Sequence, residues 1–193
     1  MTAGVTLPVA VTLPHRPYPG LPAFESQEWS IFFGREQMID EVIGRLADSR
    51  RVLIHGLSGS GKSSLVRAGV LPKLAVQYSR HDAAWLTCEM RPSGGPLWSL
   101  ASAFAGLEGR DKDPERIADI ASSFSARSAT LASVAASIEG VKGKSLCVLV
   151  DQFEELFRYE KETSRDEAEL FVDLIQRAAS KEAVPRRPGS ICM

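Results

Sequence analysis

Cysteine and histidine are scarce in this chain of 193 residues, and neither sign of charge is in clear excess. The three cysteines, Cys88, Cys147 and Cys192, are far apart and show none of the short spacings that hold a metal ion or build a disulfide framework. The formal net charge is −1, which gives no general affinity for nucleic acid or for an anionic membrane. Because Cys88 and Cys147 fall in apolar runs, we expect free thiols in a reducing, cytoplasmic compartment.

Long apolar runs are also missing, because no segment approaches the roughly twenty residues that cross a bilayer. Residues 1–15 are uncharged, but prolines interrupt them and no basic residue begins them, so a secretory signal is not indicated. Apolar residues make up 44% of the chain and charged residues 24%, as in ordinary globular domains. We expect a flexible lead-in at residues 1–15, one domain at 16–182 and a disordered tail at 183–193.

The most informative segment is residues 56–63, Gly-Leu-Ser-Gly-Ser-Gly-Lys-Ser, which fills every fixed position of the phosphate-binding pattern G-x-x-x-x-G-K-[S/T]. Small residues let successive backbone N–H groups surround a polyphosphate at a helix N-terminus. In such a loop Lys62 would reach the β- and γ-phosphates and serve catalysis, and the Ser63 hydroxyl would ligate Mg²⁺. The predicted nucleotide-binding residues of this loop are Gly56, Leu57, Ser58, Gly59, Ser60, Gly61, Lys62, Ser63 and Ser64.

The secondary-structure pattern alternates between short apolar segments and amphipathic ones. Strands are predicted at residues 51–55, 84–90 and 145–150. Apolar residues recur at helical spacing between and around these strands, which predicts an α/β fold. The uninterrupted apolar run at 145–150 is typical of a parallel strand covered on both faces.

Three sequence signals predict where helices begin. Asp113 followed by proline is a cap with proline at the first helical position. Ser164 and Glu167 have the spacing of a capping box, and Ser26 is predicted to cap a short turn.

A second part of the site is predicted where the apolar strand 145–150 ends. Asp151 follows directly, at the strand end where ligands bind in parallel sheets, and is the predicted Mg²⁺ partner opposite Ser63. Glu154 and Glu155 lie in the next turn, and either could polarise the water that attacks the γ-phosphate, with Glu154 slightly favoured. The alternative is that these three acids cap the following helix and complement its dipole.

Several linked motifs resemble the STAND NTPases, which are signal-transducing P-loop ATPases. Phe-Phe-Gly-Arg-Glu at residues 32–36 is similar to their motif before the first strand. Residues 17–25, 61–72 and 150–157 resemble more narrowly the bacterial "novel STAND" NTPase domain that is often fused to WD repeats, and Arg91-Pro92 is a further similarity. The resemblance covers residues 16–179.

This resemblance implies a P-loop NTPase three-layer sandwich with a parallel sheet, and a molecular switch rather than a metabolic enzyme. Binding and slow hydrolysis of ATP with Mg²⁺ would toggle the module between resting and assembled, oligomeric states. Gly34 and Arg35 would lie beside the nucleotide, and Arg35 could alternatively be a surface charge that opens a helix. Asp151 with Glu154 and Glu155 matches the displaced acidic pair of related switch ATPases.

The C-terminal end departs from the family pattern. Family members continue beyond residue 179 into a strand with a sensor residue and a helical lid, whereas residues 185–193 show no strand pattern. The missing strand normally lies between the phosphate-loop strand and the Asp151 strand, so those two strands would pair directly or leave a gap. We therefore expect a fold that is incomplete at its C-terminus, with sensor and effector domains missing and little or no hydrolysis.

Two other functions remain open on the sequence. A non-catalytic interaction module or truncated remnant would explain the ending, but the intact Lys62, Ser63 and Asp151 argue against it. A small-molecule phosphotransferase also uses a phosphate loop, but the acidic and apolar helix predicted at residues 166–179 stands where a kinase needs a basic lid. The preference for ATP over GTP depends on the resemblance alone.

Overall fold

A computed structural model of the chain describes residues 20, 22–78, 85–126, 129–141, 144–179 and 191–192. The predicted lead-in at residues 1–15 and most of the predicted tail lie outside these residues. Within the described residues, the helices are α1 (Glu36–Ser49), α2 (Lys62–Ser64), α3 (Leu71–Tyr78), α4 (Pro96–Gly106), α5 (Pro114–Phe124), α6 (Leu131–Ser137), α7 (Glu155–Glu162) and α8 (Arg165–Ala179), with a 3-10 helix at Ser26–Ile31. A π-helical segment, Leu65–Val70, joins α2 to α3, and we call residues 62–78 the loop helix.

The sheet is parallel, as the sequence predicts. Strand β1 (Trp85–Met90) pairs along its whole length with β2 (Ser145–Val150), in a register that sets Trp85 opposite Ser145. The two-residue β3 (Ile191–Cys192) pairs with the other edge of β2, opposite Leu146 and Cys147. This pairing differs from the expectation that residues 185–193 have no strand pattern.

The predicted strand at residues 51–55 is wrong, because the structure assigns no strand there. The segment precedes residues 56–63, which we call the phosphate-type loop, as expected. Val52 and Ile54 pack partly against the neighbouring apolar cluster. Leu53 between them is 76% exposed. A strand needs a hydrogen-bonded neighbour, and β1 and β3 occupy the two edges of β2. Of the two outcomes that the missing strand allowed, direct pairing with the Asp151 strand is not seen, because β3 occupies that edge of β2 instead.

Apolar side chains cover both faces of β2. Leu146 and Val148 lie in a larger core with β1 and helices α4, α5, α6 and α8, where Phe104 and Phe124 meet edge to face with centroids 5.4 Å apart. Cys147 points the other way, into a smaller core with α1 and the loop helix. Period-two alternation thus places helices against both faces of the sheet.

The predicted free thiols and helix starts can be compared with the structure. Cys88 and Cys147 are buried and form no disulfide within the described residues, and burial raises the pKa of Cys88 to about 12. Asp113 caps α5 as predicted, accepting a hydrogen bond from the Arg116 N–H at 3.1 Å.

The capping box at α8 is only half formed. The Glu167 N–H donates to the Ser164 hydroxyl at 3.3 Å, but the Glu167 carboxylate does not return to Ser164. It accepts instead from the Leu97 N–H at 3.1 Å and from the Tyr159 hydroxyl at 2.5 Å. Because the first N–H groups of a helix lack intrahelical partners, the unpaired donor of α4 competes successfully for this carboxylate. Glu167 therefore joins α4, α7 and α8.

Candidate nucleotide-binding site

The phosphate-type loop has the backbone that its glycines predict. Gly59 and Gly61 have φ values of 76° and 82°, in the left-handed region that favours glycine. The Ser60 N–H donates to the Leu57 carbonyl at 3.2 Å and closes the turn. A Cβ at Gly56 would lie 3.3 Å from the Ser60 hydroxyl, so the loop leaves little room for a larger residue there.

Lys62 lies across this loop at the start of the loop helix. Its ammonium group donates to the carbonyl oxygens of Gly56 and Leu57, at 2.9 and 3.0 Å. The first N–H groups of a helix have no intrahelical partners, and a cation beside them strengthens an anion site. The local arrangement therefore fits a polyphosphate.

Ser63 and Asp151 are brought together although 88 residues separate them in the sequence. The Ser63 hydroxyl donates to Asp151 Oδ1 at 3.0 Å. The Asp151 N–H donates to the Met90 carbonyl at 3.0 Å, which fixes the residue at the carboxyl end of β2. Gln152 then turns the chain with a φ of 55°. A hydroxyl and a carboxylate oxygen at one point are a donor set that suits Mg²⁺.

Two arginines that the sequence analysis did not place in the site share the other oxygen of Asp151. Arg67 and Arg91 each donate to Oδ2, at 3.0 and 3.1 Å. Arg67 lies four residues after Ser63 in the loop helix, and this spacing could have identified it because residues i and i+4 share a helix face. Arg91 follows the last residue of β1, the strand beside β2, where polar residues reach the same sheet edge.

Arg67 is the more buried of the two, and three carboxylates surround it. The Arg67 and Asp151 side chains are 11% and 12% exposed. Arg67 also forms ion pairs with Glu89 at the end of β1 and with Glu25, the latter at 3.1 Å. Burial alone would lower the pKa of Arg67, but the hydrogen bond and charge of Glu89, with Glu25 and Asp151, outweigh it and raise the pKa. Arg67 therefore remains positively charged beside Asp151.

The π-helical segment explains a second contact of Arg67. The Leu71 N–H donates to the Val66 carbonyl, so the same pattern would require residue 72 to donate to the Arg67 carbonyl. Residue 72 is a proline and has no N–H. The Ser26 hydroxyl donates to that carbonyl instead, at 3.0 Å.

Residues 24–26 are therefore hydrogen-bonded to the loop helix. The Phe24 N–H donates to the Ser64 hydroxyl at 3.1 Å, in addition to the contacts of Glu25 and Ser26 with Arg67. The prediction that Ser26 caps a turn is wrong. Glu25 is the cap of the 3-10 helix and forms a capping box with Glu28, so the Ser26 hydroxyl is available to Arg67.

The other predicted site residues are less closely connected to the loop. Gly34 has a φ of 82°, and its N–H donates to a Glu36 carboxylate oxygen at 2.9 Å, which lowers the pKa of Glu36. Arg35 is exposed at the start of α1. Within the described residues, no hydrogen bond or ion pair joins Arg35 to the phosphate-type loop.

The two candidate bases differ in their surroundings. Glu154 is exposed and precedes α7, whereas Oε2 of Glu155 is buried without a hydrogen-bond partner among the described residues. Neither carboxylate is hydrogen-bonded to Lys62, Ser63 or Asp151 in this part of the chain.

An α/β fold with a parallel sheet, and a glycine-rich loop that meets a carboxylate at the strand end, are the features of an NTP-binding module. The family comparison agrees, since the family model Novel STAND NTPase 1 matches residues 17–187. The chain belongs to this family of STAND NTPases. Searches of curated proteins and of solved structures gave no match. In the described ranges, no helix is both long and apolar enough to cross a membrane.

Proposed function

We propose that this chain is the nucleotide-binding part of a signal-transduction switch, which binds ATP with Mg²⁺ and hydrolyses it slowly or not at all. The observation that carries the proposal is the contact between Ser63 in the loop helix and Asp151 at the end of β2. A glycine-rich turn can occur in many proteins. A turn whose serine meets a carboxylate from a neighbouring parallel strand is the arrangement that P-loop NTPases use for the metal and the phosphates.

Each residue of the site then has a distinct role. Backbone N–H groups of residues 56–64 would bind the phosphate oxygens, and Lys62 would exchange its loop carbonyls for the β- and γ-phosphates. Ser63 and Asp151 would hold Mg²⁺, which when bound neutralises the phosphate charge. Gly34 and Arg35 would lie on the nucleoside side of the site, as the family implies.

Glu155 is the better candidate for the base that orients water. Its unpartnered, buried Oε2 is an acceptor that a water molecule could satisfy, whereas Glu154 already faces bulk solvent. This reverses the slight preference for Glu154 that position alone would give. Among the described residues neither carboxylate is hydrogen-bonded to Lys62, Ser63 or Asp151, which fits slow turnover.

The helices on both faces of the sheet support a three-layer P-loop NTPase core. In this proposal the switch acts in the cytoplasm through protein partners, sensor and effector domains, or nucleotide-dependent oligomers. The net charge of −1 gives no reason to add nucleic acid as a partner.

The proposal is tested by calorimetric titration of ATP and GTP, with Mg²⁺, into the wild-type chain and into Lys62→Ala. We expect binding of ATP by the wild type and a loss of at least about tenfold in Lys62→Ala, because the ammonium-to-phosphate bonds are charge-assisted. Lys73→Ala is the matched control, since Lys73 on α3 pairs with Asp40 at 2.5 Å, away from the loop. A folded wild type that binds neither nucleotide would overturn the proposal.

A further inference from the structure

Asp151 Oδ2 accepts hydrogen bonds from both Arg67 and Arg91. The two arginines differ in their other ion-pair partners. Arg67 has Glu89 and Glu25 as additional partners. Arg91 is 48% exposed, and among the described residues its one ion-pair partner is Asp151. If the Asp151 carboxylate is drawn to another cation, Arg67 remains paired and Arg91 does not.

Both neighbours of Arg91 in the chain are held in the structure, whereas its side chain is about half exposed. Met90 before it ends β1 in register with Val150, and its carbonyl accepts the Asp151 N–H. Pro92 after it is fully buried. The backbone of Arg91 is thus positioned at the sheet edge where Asp151 Oδ1 contacts the Ser63 hydroxyl.

We infer that Arg91 recognises the terminal phosphate of the bound nucleoside triphosphate. Mg²⁺ held at Ser63 and Asp151 would compete with Arg91 for the carboxylate, and the terminal phosphate would supply the negative charge that the guanidinium loses. Arginine suits this exchange because its planar fork binds carboxylate and phosphate oxygens alike. A diphosphate lacks the group that Arg91 would bind, so Arg91 is a specificity-determining residue for ATP over ADP. This inference rests on the proposed function.

The test compares the affinities of ATP and ADP, with Mg²⁺, by calorimetry for the wild type and Arg91→Ala. We expect ATP affinity to fall at least about tenfold in the variant while ADP affinity changes by less than about twofold, as loss of one charge-assisted contact predicts. Arg91→Lys should keep part of the preference, because it retains the charge and loses the fork.

Arg110→Ala is the matched control. Arg110 is 52% exposed and, like Arg91, has one carboxylate partner among the described residues, Asp113 at 2.6 Å. Its removal therefore eliminates a comparable ion pair outside the site. We expect its ATP and ADP affinities to equal those of the wild type. Circular dichroism checks folding, and Arg91→Gln replaces Arg91→Ala in the comparison if the alanine variant is unfolded.

The failures of the two proposals can be told apart. If the wild type binds ATP and Lys62→Ala does not, but Arg91→Ala loses ATP and ADP affinity equally or not at all, the inference about Arg91 is overturned and the proposed function stands. If the folded wild type binds neither nucleotide, both are overturned.

Discussion

Removal of the Arg67 guanidinium should lower the free energy of unfolding more than the loss of any surface ion pair described in this chain. The structure gives Arg67 three carboxylate partners from three separate segments, and its side chain is 11% exposed. Breaking a fully buried ion pair by removing one partner costs about 3–5 kcal/mol. Glu89 is 33% exposed and Asp151 keeps Arg91 and Ser63, so solvent and remaining partners reduce this cost. For Arg67→Met we therefore expect a loss of about 2–3 kcal/mol in the free energy of unfolding.

Urea denaturation followed by circular dichroism measures this loss. A double-mutant cycle with Glu89→Gln tests the cause, because the uncompensated carboxylate should account for part of the cost. The double variant should be more stable than the sum of the single effects predicts, by about 1 kcal/mol. Arg45→Met is the control, since Arg45 and Glu41 form an exposed pair on α1 and should contribute less than about 1 kcal/mol. A loss below about 1 kcal/mol for Arg67→Met, or strictly additive effects, would refute the reasoning.

Two further predictions concern packing and pH. A Cβ at Gly69 would lie 2.6 Å from Cδ1 of the buried Ile39, so Gly69→Ala should lower the free energy of unfolding by about 1–3 kcal/mol. Gly44→Ala is its control, because nothing lies within 4 Å and the helix should gain up to about 1 kcal/mol. Arg116 donates two hydrogen bonds to Glu108, at 2.8 and 2.9 Å, and lowers the pKa of that carboxyl. This stability is present above the unfolded pKa of about 4.3 and is lost as pH falls through the folded pKa, so Glu108→Gln should weaken the acid dependence of unfolding.

Both predictions have outcomes that would contradict them. Equal stabilities of Gly69→Ala and the wild type in urea would mean that Ile39 moves away without cost. For Glu108, unfolding is measured from pH 7 to pH 3, with Glu169→Gln as the comparison because Glu169 pairs with Arg165 on an exposed helix surface. An unchanged pH profile in Glu108→Gln would show that the Arg116 contact does not persist in solution.

Features that depend on neighbours in the sequence could be predicted from the sequence. The phosphate-type loop closes through contacts within six residues, and glycines at 59 and 61 permit the required φ values. Asp113 and its proline begin α5 as predicted, and the uninterrupted apolar run gives β2 its predicted bounds. The sequence predicts Asp151 opposite Ser63 because Asp151 follows a parallel strand at the end where ligands bind, and the structure places the two side chains 3.0 Å apart.

Features that depend on a partner from another part of the chain were decided by the tertiary structure. Residues 51–55 have the composition of a strand, but a strand also needs a hydrogen-bonded neighbour, and the sheet of β1, β2 and β3 does not include these residues. Glu167 has the spacing of a capping box, but its carboxylate accepts from the Leu97 N–H at the start of α4 instead. The positions of Arg67 and Arg91 around Asp151 could not be read from spacing alone, because ion pairs depend on which segments the folded sheet brings together. The sequence by itself therefore determined the loop, most of the helices and two strands, while the charge network around the site exists only once those elements pack.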